Sequence, residues 1–152
     1  MLYLKSDSEI EKIRDAGRIA AEAMLRVNEI LQVGLSLIQI DAVAAQYINN
    51  QGAIASALNY RGYPKSICVS INNEIVHGIP GPRKLLNGDI ISVDIAVNKN
   101  GFHGDMNATM IVGQVEEEVQ RLVETTRTCL ERGLAESTPE KRLGDIGHSI
   151  QS

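Results

Sequence analysis

Near the N-terminus, apolar residues recur at intervals of three and four: Ile10, Ile13, Gly17, Ala20, Met24, Val27 and Leu31. This spacing predicts one long helix with a single apolar stripe. Ser6 with Glu9, or Ser8 with Glu11, would cap its start, and Gly34 would stop it. A second helix follows. Ile40, Val43, Ala44, Tyr47 and Ile48 form its stripe, Ser36 with Gln39 supplies a capping box, and Gly52 ends it.

The period then shortens to two. In "SICVSI", Ile67, Val69 and Ile71 alternate with Cys68 and Ser70, and "EIVHGI" reads as extended as well. "DIISVDIAV" places Ile91, Val93, Ile95 and Val97 on one face. "PGP" and "NGD" are turns, and "NKNG" closes a hairpin because Asn-Gly favours the positive φ that such a turn needs. "GFHGDMNATMIVG" is the returning strand.

Helical spacing resumes with Val119, Leu122, Val123, Thr126, Leu130 and Leu134, is broken by "STPEKRLGD", and restarts with Ile146 and Ile150. "EIEKIRDAG" and "EVQRLVETT" align on their apolar positions, which raises the expectation of an internal duplication. On that reading residues 1–152 are a single, incomplete α+β domain. Its first half runs to about residue 113, and 114–152 open a second half whose strands are not in this sequence.

Composition narrows the function. With 43% hydrophobic and 22% charged residues the chain is globular, and aromatics at 3% leave the core to aliphatic side chains. A net charge of -4 argues against a non-specific nucleic-acid binder. No apolar run suits a signal peptide or membrane span, and Cys68 and Cys129 make no disulfide framework, so a soluble cytoplasmic protein is expected.

The chemistry lies in the hairpin, where each arm carries an aspartate. A two-residue loop at Asn100–Gly101 pairs Ala96 with Asp105 and sets Asp94 diagonally beside it. A four-residue loop sets Asp94 opposite Asp105. Any even loop puts both carboxylates on one face, whereas an odd loop or a bulge would separate them. Like charges so close destabilise a sheet unless a cation or a proton is shared. Divalent metals suit such oxygen donors. The alternative is a face open to water, whose polarity Ser92, Asn107 and Thr109 share. His77, at a strand end before a Gly-Ile-Pro turn, can lean over a site or simply be a surface residue. His103 falls on the side of Asp105 by alternation. Tyr60 and Tyr63 occupy a Gly/Pro loop, where aromatics either line pockets or pack locally. Cys68 lies opposite the apolar face of its strand.

"GYPKSICVSINNEIVHGIP", "LLNGDIISVDIAV" and "NGFHGDMNATMIVG" closely resemble the motifs of bacterial-type (type I) methionine aminopeptidases, and "EIEKIRDAGRIAAEAM" and "RLGDIGHSIQ" fit in the same order. The resemblance implies the pita-bread fold, in which two related helix–helix–sheet halves enclose a dinuclear site. It extends over essentially the whole chain, which would supply mainly the first half of that fold, an antiparallel sheet covered by helices. It implies that Asp94 and Asp105 are metal ligands, Asp105 bridging two divalent ions (Co, Mn, Fe or Zn). It implies that His77 contacts substrate as a catalytic group, that Tyr60, Tyr63 and Cys68 line the pocket for the methionine side chain, and that His103 is not a ligand. The substrates implied are nascent peptides with an N-terminal methionine, met near the ribosome by an enzyme that is monomeric in the family.

Two local departures are Met106 and Asn107 after Asp105, where the family carries Thr and Ser, and Ala57 at a pocket position that is often cysteine. The family's remaining ligands, a histidine and two glutamates, fall beyond Ser152, as does its second catalytic histidine. The 152-residue chain is therefore expected to be a truncated form, inactive alone. Two other classes compete: a non-catalytic half-fold that binds a ribosome or complementary chain, and a proline-specific relative.

Overall fold

The computed structural model describes residues 3–152. Helix α1 (Asp7–Ile30) begins at Ser6, whose N–H and hydroxyl both donate to the Glu9 carboxylate, at 2.8 and 2.9 Å. Of the two capping boxes expected, this is the one that forms. Helix α2 (Leu37–Asn50) repeats the device with Ser36 and Gln39. The apolar stripe of α1 is wider than its spacing indicates. Ala16, Ile19 and Ala23 are buried beside Ala20, Met24 and Val27, whereas Ile10 in the first turns remains 41% exposed.

The sheet is antiparallel and centres on β3 (Ile90–Lys99). One edge of β3 pairs along its length with β4 (Phe102–Ile111). The other edge is shared by the two-residue β1 (Ile54–Ala55) and by β2 (Cys68–Ile71). Asn100 and Gly101 both have positive φ (54° and 82°), so the hairpin closes with a two-residue loop, and Lys99 faces Phe102. "EIVHGI" is not a strand. Asn72 and His77 adopt left-handed backbone (φ 54° and 58°), so residues 72–79 form a loop that folds back on β2, where the Val69 N–H donates to the Gly78 carbonyl.

Alternation divides the sheet into two faces. Ile91, Val93, Ile95 and Val97 point down and are buried with Val69, Ile71, Ile19, Val27, Ile40 and Ile48. Ser92, Asp94, Ala96 and Asn98 point the other way and are half-buried. Helices α1 and α2 therefore cover one face and leave the other open.

The chain divides into two compact units, Met1–Gln114 and Val115–Ser152. The second unit pairs α3 (Glu117–Ala135) with α4 (Leu143–Gln151). Their contact is a glycine notch, where Gly133 lies against Ile146 and Ile150. Among the described residues no helix is long and apolar enough to cross a membrane.

Candidate functional site

The open face of the sheet floors a cleft of about 800 Å³, wholly within the first unit. Asp94, Asp105, His77, Cys68, Tyr60 and Tyr63 all line it. In the observed register Ala96 faces Asp105, and Asp94 faces Asn107 on one side and Cys68 on the other. The two aspartates are thus diagonal neighbours on one face, as a two-residue loop requires. Asp94 is half-buried and Asp105 exposed.

Burial pushes the Asp94 carboxyl above the ordinary carboxylate range. The charge of Asp105 and its direct polar contact push it further, and the nearby His77 pulls the other way. A cation between the two acids would relieve both upward pressures. Oxygens from two carboxylates are donors that a divalent cation accepts, so these residues fit a divalent metal. Among the described residues no third His, Cys, Asp or Glu joins them in a metal-holding group.

The walls come from two loops. Residues 57–67 carry Tyr60 and Tyr63, and two non-glycine residues there, Asn59 and Arg61, have positive φ. This wall is anchored from beneath by Asp41 of α2, a buried carboxylate that accepts the N–H groups of Ser66 (2.8 Å) and Ile67 (3.2 Å), with Lys65 Nζ at 3.7 Å. Opposite, loop 72–79 presents His77. Its base is fastened by Asn72, which donates to the buried Asp89 (2.8 Å) and accepts the Ile90 N–H (3.0 Å). Burial pushes the Cys68 thiol up, and Tyr63 partly offsets this.

His103 also lines the cleft, but both ring nitrogens are engaged, Nδ1 with Ser56 Oγ (3.0 Å) and Nε2 with the Asn98 amide (2.8 Å). Neither nitrogen is left for a metal. Met106 points away from the carboxylate face, since neighbouring residues of a strand alternate, whereas Asn107 shares that face opposite Asp94. Sequence reasoning missed Asp41, Asn72 and Asp89 as supports and Ser56 and Arg61 as lining. Asn72 alone left a trace, since asparagine tolerates left-handed backbone.

Residues 11–152 match Metallopeptidase family M24. Over the whole chain the sequence is 43% identical to methionine aminopeptidase 1 of Bacillus subtilis strain 168, covering 61% of that relative. Among solved structures, methionine aminopeptidases from Rickettsia prowazekii (34% identity) and Thermotoga maritima (36%) each superpose with a TM-score of 0.95 over 99% of this chain and 61% of theirs. The chain belongs to metallopeptidase family M24. Its α+β architecture with an antiparallel sheet is that of the pita-bread fold, and it spans 61% of the length of these relatives.

Proposed function

We propose that this chain supplies the first part of a methionine aminopeptidase active site, which removes the N-terminal methionine from nascent proteins in the cytoplasm. The observation that carries the reading is the convergence of Asp94 and Asp105, on adjacent strands, with His77 in one cleft. Asp94 and Asp105 would be the residues of this chain that hold the divalent ions. Such ions, when bound, lower the pKa of water and polarise the scissile carbonyl.

The remaining work falls to the chain's own side chains. His77, exposed on its loop, donates a hydrogen bond to the substrate carbonyl oxygen as negative charge develops there. The Tyr60 and Tyr63 rings and Cys68 receive the methionine side chain, an apolar pocket beside a charged floor. In this reading residues 1–113 are the first half of the domain and 114–152 open its second half.

Two carboxylates are too few donors to fix two metal ions. The 152-residue polypeptide is therefore expected to be inactive alone, and that donor count also supports the second reading, a half-fold that only binds a partner. Identity of 43% to a methionine enzyme favours methionine over proline specificity.

The test is a chimaera that joins residues 1–152 to the remaining part of the Bacillus subtilis relative. Methionine release from a Met-Ala-Ser peptide is assayed with Co or Mn and with a chelator. Metal-dependent release that disappears in Asp94→Asn supports the enzyme. A folded but inert chimaera sinks it and leaves the partner-binding reading.

A further inference from the structure

The Tyr63 hydroxyl does not face open cleft. It lies 2.9 Å from the Gly78 carbonyl and 3.1 Å from that of Ile67. Gly78 follows His77 directly, so this bond crosses from one cleft wall to the other. Its other ties run to β2: the Gly78 N–H donates to Ser70 Oγ (3.2 Å), and its carbonyl also accepts the Val69 N–H (2.9 Å). The segment is pressed against β2 so closely that a Cβ at position 78 would meet the Val69 carbonyl oxygen at 2.2 Å. His77 stands at the end of this anchored segment, exposed and in left-handed backbone.

We propose that Tyr63 is a positioning residue, whose hydroxyl holds the His77–Gly78 segment over the aspartate pair. The inference rests on the reading of His77 as the group that meets substrate, and it adds to Tyr63 a role that a pocket-lining ring does not need. Burial and the polar neighbours push the Tyr63 hydroxyl well above the usual tyrosine range, which favours the protonated form that donates here. Tyr60 provides the contrast. It is 64% exposed, and its hydroxyl makes no hydrogen bond among the described residues.

The experiment is NMR on the full chain with labelled histidine, whose three rings give three cross-peaks. His77→Gln assigns the peak of interest. Tyr63→Phe should displace the His77 cross-peak and leave that of His148, whereas Tyr60→Phe should move neither. Exchange of the Gly78 amide should rise about fivefold in Tyr63→Phe, the factor that one net hydrogen bond of about 1 kcal/mol represents. In the chimaera, Tyr63→Phe should lower kcat with little change in KM, since a residue that only contacts the methionine side chain would raise KM instead.

An unmoved His77 peak with unchanged Gly78 exchange overturns the proposal. So does a wild-type Gly78 amide that exchanges as fast as free loop, a measurement that needs no variant. The NMR arms require no activity. A displaced peak in a chimaera without metal-dependent turnover would therefore keep the strut and remove the enzymatic reading.

Discussion

Asp94 is costly in its charged form. The structure raises its pKa, first through burial and then through Asp105. The direction fixes the sign of its contribution to stability. Between the ordinary aspartate value of about 3.9 and the raised one, the folded chain keeps a proton that the unfolded chain releases. Stability therefore falls as pH rises through that window and stays lower above it. Asp94→Asn removes the charge but keeps the shape, so it should raise the Tm of the metal-free chain at pH 7 and flatten the fall between pH 4 and the raised pKa. Mn or Co should raise the Tm of the wild type and leave that of the variant unchanged, because binding to the folded state alone is what stabilises. Thermal melts of both proteins with and without metal check this. A variant that melts lower than wild type without metal, or still responds to metal, would contradict the assignment.

Two close backbone approaches set the geometry between elements. Gly104, which precedes Asp105 on β4, lies so near α1 that a Cβ there would be 2.3 Å from Gly17 N and 2.4 Å from Ala16 C. Backbone cannot yield as a flexible side chain can, so Gly104→Ala should cost at least about 1–3 kcal/mol, the usual range for overpacking. Denaturant melts measure the loss, and Gly101→Ala, in open space but at positive φ, separates crowding from turn strain. Such contacts show where the sequence is readable. The helices were legible because capping residues and apolar spacing are local signals, and the hairpin because Asn100–Gly101 carries its own turn preference. Given the two-residue loop that Asn100–Gly101 favours, parity puts Asp94 and Asp105 on one face. The loop at 72–79 misled because Ile75 and Val76 look like strand residues, yet they are 88% and 62% exposed. Gly104 against Gly17, Asp41 beneath Ser66 and Tyr63 against Gly78 join residues far apart in the chain, and no local pattern announces such pairs.

Across the whole molecule the two units differ in how much they bury. The first encloses a continuous aliphatic core from α1, α2 and β1 to β3. In the second, Gly133 is the one buried residue among those described, while Leu122, Leu130 and Leu134 of α3 are 59%, 57% and 63% exposed. Helices draw most of their stability from packing an apolar face, and short ones are marginal without it. Opening free energies within one protein range from near zero to the global value, following local burial. Native-state hydrogen exchange on the 152-residue chain should therefore find the α3 and α4 amides exchanging at least about tenfold faster than those of residues 91–97 in β3, a gap of about 1.4 kcal/mol or more. The cleft floor should then persist while the second unit opens, and mild proteolysis should cut first within 115–152. Equal protection in both units would mean that α3 is covered in solution. Its dependence on protein concentration would then tell self-association, which strengthens as the chain is concentrated, from packing within one chain, which does not.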